Sequence, residues 1–216
     1  MLITFGTRFC GKVATVNDQW IESKFFSIMF IPIFPLGSMF VTGSEFRSRE
    51  GFNIGVSALS VKAVYGRMLS MGLAAWFLFL GFDGFRGYGG SQANAFTYLL
   101  LGALMSALCV YFYLYYGKAS LDDVLLRNKM GRLTGYYALP HWFDYSTQRN
   151  MLGSLELQYQ KKFPNDNWKA DLRDGTADAG KYQLLFGLAL FNCIVYDLPE
   201  NDELFARADE QFVLNI

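Results

Sequence analysis

Between Ala95 and Tyr116 the chain reads AFTYLLLGALMSALCVYFYLYY, with no charged residue and no proline. At about 1.5 Å per residue, a helix of this length crosses a hydrocarbon core about 30 Å thick. A helix of the same length in a soluble core carries a polar stripe. Here the only polar groups are Thr97, Ser106 and the tyrosines. Tyr111, Tyr113, Tyr115 and Tyr116 gather at one end, and Gly117 and Lys118 follow. That order is an aromatic belt beside a cationic anchor. The run predicts a transmembrane helix over 95–117.

A second apolar run, Met68 to Phe82, lies between Arg67 and Asp83. It is short for a bilayer, but it lengthens to 64–82 if Arg67 snorkels to the interface. The competing reading is a helix buried in a soluble core. A partner span one short glycine-rich connector away favours a hairpin. Arg47, Arg49, Lys62 and Arg67 precede the first span, and Lys118, Arg127, Lys129 and Arg132 follow the second. The positive-inside bias then places both flanks in the cytoplasm. Gly72, Ala74 and Ala75 on one span, with Gly102, Ala103 and Ala107 on the other, are expected to let the helices pack closely.

The rest of the chain is more polar. Charged residues make up 18% of the 216 residues, against about 25% in ordinary soluble proteins. A mixed protein, part membrane and part soluble, fits that share. The expected fold class is an α+β membrane protein with a small β module over 1–56, the hairpin over 57–118 and a helical cytoplasmic domain over 119–216. The formal net charge is zero, which argues against a nucleic-acid partner. Cys10, Cys109 and Cys193 are far apart and in no metal-like spacing, so reduced thiols are expected. The start, MLITFGTRFCGK, does not read as a signal peptide.

Residues 1–56 read as short strands: Leu2–Phe5, Lys12–Val16, Gln19–Glu22, Phe25–Ile31 and Ser38–Thr42. Pro32 and Pro35 are expected to break the ladder at a turn or strand edge. The segment Ile31-Pro32-Ile33-Phe34-Pro35 is expected to turn a corner into a β core with Phe34 buried. The sharper alternative lets Phe25–Val41 dip into the membrane interface. On that alternative Phe30, Ile33, Phe34 and Leu36 are candidate contact residues, as is Trp142 further on.

FGTRFCGKV, a variable turn and then WIESKFFSIMFIPIFPLGSMFV resemble a small module of uncharacterised bacterial proteins. That module has an aromatic-glycine start and a Phe-Ile-Pro-Leu-x-Pro-Leu-x-Ser-like segment. The stretch is also similar to zinc-ribbon proteins in which paired Cys-x-x-Cys knuckles flank a Phe-x-Pro-x-x-Pro segment. The resemblance covers roughly the first 45 residues and implies a small β fold, but no activity. Cys10 has no partner for a four-ligand zinc site, so no metal is expected.

In the C-terminal region Ser120-Leu-Asp-Asp123 predicts a helix start, with Gly131 ending the helix. A second helix from about Ser146 places Met151, Leu152, Leu155, Tyr159 and Phe163 on one face and stops at Pro164. Asn165–Gly180 reads as a solvated loop or short helix, since Arg173 spoils any calcium pattern in its aspartates. Tyr182 to Tyr196 is uncharged but short for a span, and predicts a buried helix rather than a third membrane segment. Pro199 suits the first turn of a last helix, whose Leu204, Phe205, Ala208 and Phe212 pack back on the previous one.

No constellation for catalysis stands out. The single histidine, His141, reads as packed or capping. There is no Gly-x-Ser-x-Gly, no His-Glu-x-x-His and no phosphate-binding loop, and no cofactor is expected. Neither span carries a mid-membrane charge of the kind ion paths use. The leading expectation is a bacterial inner-membrane protein, both termini cytoplasmic, acting through protein contacts as an accessory subunit, scaffold or immunity-type protector. Its partners are then the lipid bilayer and either a second protein or further copies of itself. The alternatives are a membrane-tethered enzyme on lipid or envelope precursors, using acids such as Glu45, Glu50 or Asp144, and a small oligomeric channel.

Overall fold

The computed structural model describes residues 5–29, 31–44, 48–85, 92–175 and 180–214. The chain forms two compact units, Met1–Ser120 and Leu121–Ile216, and its architecture is α+β.

The first unit opens with four strands, β1 (Phe5–Val16), β2 (Gln19–Ile28), β3 (Ile31–Ser44) and β4 (Arg49–Ile54), in an antiparallel sheet of order β1-β2-β3-β4. Asn17 and Asp18 join β1 to β2, both with positive φ. That is what a two-residue turn matched to strand twist requires, and Asn and Asp tolerate it. The expected strand Leu2–Phe5 lies outside the described residues apart from Phe5.

The prolines lie at a strand edge, as expected, but they do not end the strand. β3 runs continuously from Ile31 to Ser44, with Pro32 opposite Ser27 and Pro35 opposite Phe25. Two features accommodate them. β4 pairs only with Ser38–Ser44, so over Ile31–Gly37 β3 has one neighbour and a missing N–H costs no bond on the open side. The register with β2 also slips twice, leaving Ile33 and Leu36 as extra residues between paired ones. Such bulges redirect side chains, and both residues are exposed. The expected corner with buried apolar side chains is therefore corrected: Phe34 is 47% exposed. The core of the sheet lies further along, where Val13, Ile21, Phe25, Phe40 and Val41 are buried.

Two long helices follow, α1 (Ala58–Phe85) and α2 (Gln92–Leu114). They pack antiparallel, Gly66 lying against Phe112 near one end and Gly81 against Leu99 near the other. The second helix ends at Leu114, short of the predicted 117, and Gly117 turns the chain with φ +84°.

The second unit holds α3 (Leu121–Thr134), α4 (Tyr145–Lys162), α5 (Trp168–Asp174), α6 (Tyr182–Val195) and α7 (Pro199–Leu214), with a short 3-10 turn at Pro140–Trp142. Its centre is α6, whose Leu185, Phe186, Leu188 and Phe191 are almost fully buried. Leu152, Leu155 and Tyr159 of α4 join this core, as do Leu204, Ala208 and Phe212 of α7. Gly131 sits inside α3 rather than ending it. A Cβ there would meet the Tyr137 ring at 2.3 Å, so it is a packing glycine. Gly135, with φ +79°, is the residue just past the helix.

Candidate functional site

Both long helices are apolar on nearly every face. Two segments, Ala58–Phe85 and Asn94–Leu114, are long and apolar enough to cross a membrane by length and composition. Only 17% and 11% of their most apolar stretches are buried in the protein. Trp76, Phe79, Phe96, Leu100 and Leu104 all point outward.

The helices touch through glycines. A Cβ on Gly81 would meet Leu99 at 2.6 Å, one on Gly84 would meet Ala95 at 2.9 Å, and one on Gly102 would meet Leu78 at 2.8 Å. Of the small residues expected at this seam, Ala74 and Gly102 are buried. Ala75, Ala103 and Ala107 are exposed, and Gly72 faces open space. The seam also uses Gly66, Gly81 and Gly84, which share the Ala74 side of α1 and lie away from Gly72 and Ala75.

The sheet is fastened to one end of this hairpin. Ser60 Oγ donates to the Gly11 carbonyl at 2.7 Å, and the Ala14 N–H donates to the Gly117 carbonyl at 2.6 Å. Arg67 donates to the carbonyl oxygens of Phe112 and Lys12, at 2.9 and 3.4 Å. Its guanidinium lies 5.1 Å from the centre of the Tyr113 ring. Tyr65 OH donates to the Ile33 carbonyl at 2.7 Å, and its ring meets Phe25 edge-on.

The candidate contact residues fall in two places. Ile33, Phe34 and Leu36 come together on β3, each close to half exposed, with the Phe34 ring stacked on Phe26 at 5.0 Å. Phe30 lies outside the described residues. Trp142 belongs to the second unit and is half buried. Its ring covers the guanidinium of Arg127 at 5.0 Å, so it is held inside that unit's own packing. Burial pushes Arg127 down to about 10, which still leaves it charged at neutral pH.

The second unit also holds a polar cluster that periodicity did not reveal. Lys181, buried at the start of α6, reaches Asp166 at 2.6 Å and Asp171 at 2.7 Å. Tyr159 OH donates to Asp171 as well. Tyr159, Asp166 and Trp168 line a cleft of about 390 Å³ beside it. Burial and the bond to Asp171 push the Tyr159 hydroxyl up. The carboxylates of Asp166 and Asp171 push Lys181 up. Burial works against Asp171 ionising, but the bonds from Lys181 and Tyr159 outweigh it and hold its carboxyl low. All three shifts move away from neutrality, whereas a catalytic acid or base needs a value near the working pH. The cluster is a tie between α4, α5 and α6.

Other reactive groups read the same way. Burial and then Asp202 push the Cys193 thiol up to about 11, and burial raises Cys10. Neither resembles an activated nucleophile. His141 is exposed rather than packed, its ring edge-on to Trp142. Glu50 and Asp144 are exposed and belong to different units, and Glu45 lies outside the described residues. Gly6 to Lys12 has the spacing Gly-x-x-x-x-Gly-Lys, followed by Val13. It runs within strand β1, whereas a phosphate loop links a strand to a helix and supplies a Ser or Thr hydroxyl after the lysine. Among the described residues no three His, Cys, Asp or Glu side chains group as metal ligands do. Comparison with protein-family models, curated proteins and solved structures gives no match.

Proposed function

We propose that this chain is a membrane-anchored contact protein. Its hairpin crosses the inner membrane of a bacterium. The sheet and the helical second unit lie on the cytoplasmic side, and the second unit engages a protein partner. The observation that carries the reading is the bareness of α1 and α2. A soluble protein rarely exposes an apolar patch beyond a few hundred Å², yet these helices bury little except the seam between them. In lipid the same surface needs no cover, and a helix satisfies its own backbone. The bacterial setting is supported by the resemblance of the first 45 residues. The orientation is supported by Arg67 and Lys118 at the open end of the hairpin.

A contact role is supported by the chemistry. The ionisable groups outside the hairpin with shifted pKa values are engaged in structural bonds or buried. The experiment is expression of the tagged chain in a bacterial host, followed by alkaline carbonate washing of membranes and mild-detergent purification. The expected outcome is retention in the washed membrane and co-purification of a stoichiometric partner. Release by carbonate would overturn the anchor. A monodisperse chain recovered alone under several growth conditions would overturn the contact role.

A further inference from the structure

The end of the sheet formed by Phe5–Thr7 and Phe25–Gly37 carries no charged residue. Register brings this stretch together: Phe5 pairs with Ile28, and Ile28 with Ile31. Phe5, Met29, Ile31, Ile33, Phe34 and Leu36 are each at least 41% exposed there. Six large apolar side chains open to solvent at one end of a small sheet are costly unless something covers them.

Two further observations say what covers them. The first is position. β3 is joined at two heights: Ser38 Oγ accepts from the N–H of Ser57, the residue just before α1, at 2.9 Å, and the Ile33 carbonyl accepts from Tyr65 OH of α1 at 2.7 Å. The Ile31 end of β3 is thus joined to α1 nearer the apolar span, and the Ser38 end nearer its start. The second is charge. The first charged residues met along β1 and β2 from the apolar end are Arg8 and Lys24, in adjacent pairs of the ladder and both exposed. Both are cations. The acids of these strands and their turn lie further off, with Glu22 buried against Arg49 and Asp18 in the turn at the opposite end. An apolar tip bordered by cations is the pattern of a structure seated in a bilayer interface, with the tip among the acyl chains and the cations at the phosphates.

We infer that the Phe25–Gly37 end of the sheet is a second membrane contact, inserted into the anionic headgroup region of the leaflet that the hairpin enters. The inference rests on the hairpin reading. The sheet then does more than cap the hairpin: it holds α1 and α2 upright from the side, since Tyr65 and Arg67 link it to both helices.

The test uses the full chain in nanodiscs of phosphatidylethanolamine and phosphatidylglycerol. Cys10, Cys109 and Cys193 are changed to serine, and single cysteines carry a nitroxide. Phe34→Cys and Leu36→Cys probe the tip, Leu100→Cys probes the middle of α2, and Glu50→Cys probes the opposite end of the sheet. Collision with oxygen and with a water-soluble nickel chelate is measured at each. The expected result is a several-fold loss of nickel access at 34 and 36 relative to 50, with oxygen access raised, and a still larger loss at 100. Protection at 100 with full nickel access at both 34 and 36 would overturn this inference and leave the hairpin standing. Full nickel access at 100 would overturn the hairpin and this inference together. Immobile labels at 34 and 36, shielded from both reagents, would mean that protein covers the tip, and would also overturn it.

Discussion

Arg67 Nε donates to the carbonyl oxygen of Phe112 at 2.9 Å, joining α1 to the last turn of α2. Phe112 needs that donor. The N–H of Tyr116, four residues on, bonds to Tyr111 instead, and the last carbonyls of a helix have no partner of their own. Arg67→Met leaves this oxygen unpaired. The expected cost is about 1–3 kcal/mol, read as a lower melting temperature in detergent. Arg67→Lys should recover part of it, because a lysine still donates but lacks the planar fork.

The glycine seam makes a sharper contrast. Gly102→Leu must displace Leu78, and Gly81→Leu must displace Leu99. Overpacking of this kind costs about 1–3 kcal/mol. Gly72→Leu, on the same helix as Gly81 but facing open space, should leave stability unchanged or slightly raised. Equal losses at Gly72 and Gly81 would mean that the seam runs elsewhere.

Phe34 and Phe40 lie on one strand with opposite surroundings. Phe40 is fully buried, and Phe40→Ala should cost about 3–5 kcal/mol. Phe34→Ala should cost less than about 1.5 kcal/mol, since roughly half of the residue is already outside the protein's own packing. Urea unfolding of the two variants in one detergent ranks them.

These contrasts bear on what the residues reveal unaided. The hairpin is legible because a long uncharged run has few alternatives. The buried helix at Tyr182–Val195 is legible because such a run is too short to span. The two prolines are half legible: they mark a strand edge, but β3 runs on through them, because a missing N–H is harmless where it has no second neighbour, and strand pairing is not written in the local sequence. The same bulges hide the exposure of Ile33, Phe34 and Leu36. The seam is half legible: small residues mark α1 and α2, but which face meets the partner depends on the crossing, and Gly72 loses to Gly81. The tie of Tyr159, Asp166, Asp171 and Lys181 joins three helices, so no spacing announces it.

That tie predicts a pH dependence. Asp171 has a folded-state value below its unfolded one of about 3.9, so its contribution is present above that value and is lost as pH falls through the lower folded value. Lys181 is raised, so its contribution is complete below about 10.4 and is lost as pH rises through the higher folded value. Lys181→Met should lower the melting temperature of the second unit. The gap from the unsubstituted chain should stay constant between about pH 5 and 9 and shrink outside it. A gap that changes steeply near pH 7 would contradict the assignment.

The most direct measurement concerns the hairpin itself. Paired reporters, a fluorescent protein active only in the cytoplasm and a phosphatase active only outside it, are fused after Ile216 and inserted within residues 86–91. The latter lie between the end of α1 and the start of α2. A membrane-crossing hairpin with cytoplasmic flanks gives fluorescence without phosphatase activity at Ile216 and the reverse within 86–91. The same reporter active at both positions would contradict it.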